Sequence, residues 1–294
     1  MVLTGITLQP EREYLDRLAP VLRSEAEFFE VAPETLWRIG PDGAFEPNAF
    51  HREFAALARD LGVPVVAHGV GLDVGSVDPA AAPRRARWLD RIARDHETFG
   101  FAWYTDHLGA TSLAGRAVTL PIALPMTGAM AVVVRTNLRA LQSIVPDVGL
   151  ENSVFYFLLG RWLDEPAFLT NVLEPPGFHL LLDLHNIYTM ALNRGDDPGE
   201  YLDRLDLTKV IEIHLSGGTR SDPAWLPDGR TLRLDSHDTA VPETVWRLFE
   251  RVLPRCPNLR GVCIERIEGT VGEPDVAVLR AELRRAKELV RGRA

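Results

Sequence analysis

Short apolar runs alternate along the chain with longer segments in which apolar residues recur every three or four positions. The runs predict strands at 3–8 (LTGITL), 26–31 (AEFFEV), 64–70 (PVVAHGV), 101–109 (FAWYTDHLG), 149–152 (GLEN), 178–184 (FHLLLDL), 209–218 and 261–269. The helical period predicts helices over EREYLDRLAPVLR and over 47–62, 83–99, 128–145, 164–174, 242–254 and 275–290, with Gly62 stopping the second. Residues 116–124 read as a short extra hairpin. Strands of continuous apolar letters imply a parallel sheet covered by helices. About eight such strand–helix units in nearly 300 residues predict an α/β fold, a (β/α)8 TIM barrel in a single domain over 1–294. The rival, a doubly wound open sheet, lacks its fingerprint: there is no G-x-G-x-x-G after the first strand and no G-x-x-x-x-G-K-[ST] anywhere.

The polar residues that interrupt this pattern fall at strand ends. Glu30 and Glu34 end the second strand, His68 the third, Asp106 and His107 the fourth, and Glu151 and Asn152 the fifth. Asp183, His185 and Asn186 close the sixth, Glu212 and His214 the seventh, and Glu265 the eighth, while the loop LDSHD adds Asp235 and His237. In a parallel barrel the C-terminal strand ends share one face, where active sites of this fold sit. Several carboxylates cannot gather there without a counter-charge. Imidazole, carboxylate and amide ligands without thiolate point to Fe, Mn or Zn rather than Ca or Mg, and their number exceeds one coordination sphere. Each residue alone has a structural explanation, such as a hydrogen-bonded histidine or a helix-capping aspartate; the joint pattern favours metal. Glu212 and His214 share a strand face by period two, so one of them is expected to orient the other. His51 and His96 fall on helices and are expected to be solvated, and His179 begins a strand at the opposite end. Cys263 reads as core, and Trp103 as a residue facing substrate. The GLDVGSVDP loop (71–79) has turn chemistry, with Asp78-Pro79 starting the next helix.

Charge and composition narrow the classes. With 41 acidic and 32 basic residues the formal charge is -9, which disfavours nucleic acid and anionic membranes as partners. Two cysteines cannot form a disulfide framework, the N-terminus lacks a signal-peptide pattern, and no long apolar run spans a membrane. A cytoplasmic protein is expected.

The segments HGVGLDVGSVDP, DHLG, LEN, LLDLHNIY, EIHLSGG, DSHD followed by VPETVWRL, and IER occur here in order. Together they resemble the multinuclear non-haem iron-dependent oxidases, the family of the methanobactin-biosynthesis oxidase, from GITLQP to Glu265. The resemblance implies a xylose-isomerase-type barrel holding two or three irons of mixed Fe2+/Fe3+ state. It further implies O2-dependent oxidation of cysteines in ribosomally made precursor peptides, often with a partner protein that presents the peptide. Carried over by position, it implies metal ligands His68, His107, Glu151, Asp183, Asn186, His214, Asp235, His237 and Glu265, with Glu34, Asn152 and Glu212 lining the pocket. Asp106 stands where glutamate is common and His185 where asparagine is common; these two are the candidate catalytic residues. Two enzyme alternatives use similar strand-end ligands: a Mn sugar isomerase or epimerase, and a Zn phosphodiesterase resembling endonuclease IV. The first normally needs a lysine, and Lys209 and Lys287 look peripheral. A non-catalytic peptide-binding barrel is the third alternative.

Overall fold

The structure, a computed structural model, describes every residue except Gly115 and Ala294, and the backbone alone of Thr119. The strands are β1 (Leu3–Thr7), β2 (Phe28–Val31), β3 (Trp37–Ile39), β4 (Phe45–Pro47), β5 (Val65–Gly69), β6 (Tyr104–His107), β7 (Ala110–Leu113), β8 (Arg116–Ile122), β9 (Val148–Glu151), β10 (Phe178–Asp183), β11 (Val210–Leu215) and β12 (Gly261–Ile264). The helices are α1 (Arg12–Ser24), α2 (Ala49–Leu61), α3 (Ala82–Phe99), α4 (Gly128–Gln142), α5 (Glu165–Val172), α6 (Leu184–Arg194), α7 (Pro198–Arg204), α8 (Glu243–Val252) and α9 (Glu273–Gly292). Eight strands form a closed barrel in the order β1-β12-β11-β10-β9-β6-β5-β2, every described pair parallel. The TIM-barrel expectation is met. By packing, the chain falls into two compact units, Met1–Glu27 with Leu182–Ala294, and Phe28–Leu181. Among the described residues no helix is long and apolar enough to cross a membrane.

In the unit Phe28–Leu181, β5, β6 and β9 set the functional register. His68 lies beside Thr105, and His107 beside Glu151. The helices between them start and stop on local signals. The Asn48 side chain accepts from the Phe50 and His51 amides at the start of α2, and Gly62 ends it at φ +66. Asp78 accepts from the Ala80 amide just ahead of α3, as the 71–79 loop predicts. The extra hairpin is present, as β7 against β8, and begins earlier than the apolar pattern suggests. A second hairpin, β3 with β4, was not anticipated.

Three expectations fail in this unit. His96 is half-buried with its Nδ1 out of contact with water, not solvated. His51 is buried, not solvated: its Nε2 lies 2.7 Å from Asp95, which also accepts from Trp37 Nε1 at 2.6 Å and from Arg91. A buried carboxylate needs such partners, and the helical period of 47–62 carries no trace of one 44 positions away. Trp103 faces no substrate; it is buried, its ring 5.9 Å from that of Phe28. His179 begins β10, Nε2 on Asp147, away from the strand end that carries Asp183.

In the other unit, α6 follows β10 without a loop, and α7 comes soon after. Neither helix was anticipated. Asp183 ends the strand and caps the helix, accepting from the Asn186 amide at 2.6 Å, and Gly195 closes α6 at φ +77. β11 and β12 pair so that His214 lies beside Cys263, which is buried as the core reading expects.

Candidate metal-binding site

Eight of the nine predicted ligands collect into two clusters, one in each unit, and Asn186 is buried one turn beyond Asp183. In Phe28–Leu181 the cluster is His68, His107 and Glu151. His107 Nδ1 donates to the Gly69 carbonyl at 3.0 Å, and a carbonyl can only accept. In the neutral ring its Nε2 carries the lone pair, and it lies 3.1 Å from Glu151 Oε2. His68 follows the same logic. Its Nδ1 is 2.9 Å from Thr105 Oγ1, whose hydroxyl is directed at the Ala67 carbonyl, so Nε2 is left facing Glu151 Oε2 at 3.4 Å. The two rings stack with centroids 4.6 Å apart. Two imidazole nitrogens aimed at one buried carboxylate need a proton or a metal ion between them, and a metal ion can satisfy all three at once. Asn152 follows directly and is buried.

In Met1–Glu27 with Leu182–Ala294, ligand atoms of buried Asp183, His214 and Glu265 lie within 4.8 Å of one another. His214 Nδ1 is 2.9 Å from Glu265 Oε2, and its Nε2 is 3.8 Å from Glu212. Asn186 is buried in the first turn of α6. His237 extends the cluster, with Nε2 2.7 Å from Asp235 and 3.8 Å from Glu265. Burial works against a charge on His237, but the Asp235 and Glu265 carboxylates outweigh it and raise its pKa well above the usual value. His237 adopts φ +50, a left-handed conformation costly for a side chain with a Cβ and concentrated at functional sites.

Of the two candidate catalytic residues, Asp106 faces away from these ligands and His185 touches one of them, Asp235. Asp106 lies on the other face of β6, because successive strand residues alternate. A Cβ on Gly69 would meet Tyr104 Oη at 2.5 Å and Asp106 Oδ2 at 2.7 Å, so these two side chains cover the glycine, away from His68 and Thr105. Burial, and then the Glu34 charge, raise the Asp106 pKa well above the carboxylate range. Glu34 itself accepts from the Val70 and Gly71 amides at 2.6 and 2.9 Å, which makes it a loop anchor. His185 is fully buried with both nitrogens engaged: Nδ1 on Asp235 at 3.2 Å, Nε2 on Arg233 Nε at 3.3 Å and on Thr189 at 3.4 Å. An arginine only donates, so Nε2 accepts and Nδ1 carries the proton. Burial lowers the His185 pKa in spite of the Asp235 hydrogen bond. This geometry makes His185 a support for Asp235, with no nitrogen left over to act as a base. Gly218 is required beside it, since a Cβ there would come 2.1 Å from the Leu234 carbonyl and 3.0 Å from the imidazole.

Sequence reasoning missed Thr105 and Arg233. Thr105 had a signal, being two residues before His107 on the same strand face. Arg233 had none, since its partner His185 lies 48 positions away.

Comparison with known proteins gives the chain's family and its fold neighbours. A family described as "RiPP precursor modification enzyme MbnB/TglH/ChrH" matches residues 4–291. A UPF0276 protein of Caulobacter vibrioides is 30% identical over 255 residues, 85% of this chain and 82% of its own. Another, from Anaeromyxobacter sp. (strain Fw109-5), is 35% identical over 229 residues, 77% and 75% of the two chains. Among solved structures, D-psicose 3-epimerase from Clostridium cellulolyticum H10 superposes with TM-score 0.60 at 14% identity, covering 99% of this chain and 98% of its own. At that identity the likeness concerns the fold alone.

Proposed function

We propose that this chain, which belongs to the MbnB/TglH/ChrH family of RiPP precursor modification enzymes, is an iron-dependent oxidase that uses O2 to modify a cysteine of a ribosomally made precursor peptide. The observation that carries the metal half of this reading is the pair of imidazoles, His68 and His107, whose accepting nitrogens face the Glu151 carboxylate at 3.4 and 3.1 Å. The second cluster supports it with a mixed imidazole–carboxylate set from Asp183, His214 and Glu265. Such nitrogen–oxygen donor sets suit a borderline divalent metal, iron included. Iron bound there would supply the one-electron and O2 chemistry that side chains lack.

The residues of the chain have separate tasks. His68, His107 and Glu151 hold one metal; Asp183, His214 and Glu265, extended by Asp235 and His237, hold another. Thr105 and the Gly69 carbonyl fix the tautomers of the first pair, and His185 holds the Asp235 carboxylate through a hydrogen bond. Asp106 lies over Gly69 in a buried site that favours its neutral form. A sugar epimerase of the same barrel type is the second reading, since such enzymes also use imidazole and carboxylate ligands at strand ends. Against it, Lys287 is 3.6 Å from Glu25, away from both clusters' residues, and Lys209 ends a short turn ahead of β11.

The test is oxygen uptake by anaerobically iron-loaded protein given a cysteine-containing peptide encoded beside its gene, alone and with any presenting protein encoded there. Uptake that tracks peptide turnover, with a mass change on the cysteine-containing fragment, is the expected result. Turnover of a ketose without O2 uptake would replace the oxidase with the epimerase.

A further inference from the structure

Arg233 makes no ion pair in contact among the described residues, although the Asp238 charge is close enough to favour its charged form. Its backbone is held rigidly: its amide donates to the Asn193 side chain at 2.7 Å, and its carbonyl accepts from the same side chain at 2.9 Å. An antiparallel bridge pairs it with Arg220, and flanking bonds from Ser221 to Leu232 and from Leu234 to Thr219 stiffen the ribbon. Residues directly opposite on such a ribbon project to the same side, so two guanidinium groups are held as neighbours, an arrangement that costs stability by itself. Arg233 uses Nε on His185, and its guanidinium lies over the Tyr188 ring with 4.8 Å to the centroid. Arg220 bonds only the Thr231 hydroxyl. No ion pair joins either arginine among the described residues, although the side chain of Arg233 is half-buried. The nearby Asp238 is engaged by the Ser236 and Thr219 hydroxyls.

We infer that Arg233, with Arg220 beside it and Tyr188 beneath it, is a binding site for a carboxylate of the peptide substrate. A planar guanidinium with both Nη groups available matches a carboxylate in a two-bond fork. A single negative charge suits the place better than a phosphate dianion, because Asp235 and Asp238 lie on the same short loop. The substrate class rests on the peptide-modifying reading above. Arg233 reaches Asp235 through one imidazole, so the bound carboxylate belongs to the part of the peptide next to the reacting residue: either an acidic side chain or the chain terminus.

The experiment is calorimetric titration of metal-free protein with four synthetic peptides: Ac-Gly-Cys-Gly as free acid and as amide, and Ac-Gly-Cys-Glu-amide against Ac-Gly-Cys-Gln-amide. The wild type is expected to prefer the anionic member of at least one pair by about tenfold, the worth of one charge-assisted fork. The pair that responds identifies terminus or side chain. Arg233→Ala is expected to bring that ratio to about one, Arg233→Lys to keep part of it, and Arg220→Ala to reduce it. Equal affinity within both pairs, no binding up to millimolar peptide, or a preference that survives Arg233→Ala would overturn the site. If Arg233→Ala does not fold, the exposed Arg220→Ala carries the test, and an undiminished ratio there counts against the proposal. Since no metal is present, discrimination without O2 uptake would leave this site standing and remove the oxidase, while the reverse result would do the opposite.

Discussion

His107 gives its Nδ1 proton to the Gly69 carbonyl, and His68 gives its own to Thr105. Those two bonds decide which nitrogen each ring offers a metal. Thr105→Val removes one of them without touching a ligand, and metal affinity should fall about 10- to 100-fold, as competition against a chelator would show; unchanged affinity would mean the tautomer is fixed elsewhere. Glu282 offers a stability test away from the metal. It is buried, accepts from the Val241 amide at 2.7 Å, and burial pushes its pKa up to about 7. The folded state therefore holds the proton more tightly than the unfolded chain, whose carboxyl titrates near 4.5. Stability should fall as pH rises from about 4.5 through about 7 and then level off, the whole effect being on the order of 3 kcal/mol. In Glu282→Gln that slope should disappear from denaturant melts across the window. At this scale the sequence showed which residue types gather at strand ends but not which way each one faces. Asp106 and His107 are adjacent on β6, and period two forbids both from facing the same cluster; the alternation was readable and the structure applies it.

At the scale of elements, Asp183 serves two masters. It ends β10, caps α6 through the Asn186 amide, and offers an oxygen to the His214–Glu265 cluster. Asp183→Asn keeps a capping oxygen and loses the charge, so it should lower metal content with little change in the melting temperature of the metal-free protein. Asp183→Ala loses both and should cost the metal-free protein about 1 kcal/mol more. Identical metal-free stability in the two variants would show that the cap contributes nothing. The same junction explains a failure of pattern reading. Apolar residues run from β10 straight into α6 with no glycine or proline between them, so the helix hides behind the strand. The β3–β4 hairpin was missed for the opposite reason: its strands are three residues each, too short for alternation to register, although Gly43 at φ +77 in Pro-Asp-Gly marks the turn.

At the scale of the whole molecule, the barrel and its strand order were legible because eight apolar runs in alternation with helices admit few other architectures. The convergence of ligands was legible for the same topological reason. The supports were not, because Thr105, Arg233 and the Gly69 carbonyl act through hydrogen bonds that leave no period in the sequence. If each unit carries a metal, folding and metal binding are linked, and a metal present at a thousandfold its Kd should add about 4 kcal/mol to stability. A chelator should then lower the melting temperature of loaded protein to that of the metal-free form. The most direct measurement is elemental analysis of protein expressed with added iron and purified without oxygen. The account predicts about two or more iron ions per chain, falling when His214 or His107 is replaced by alanine. Less than about one iron per chain, with both clusters filled by zinc or manganese or by nothing, would contradict it.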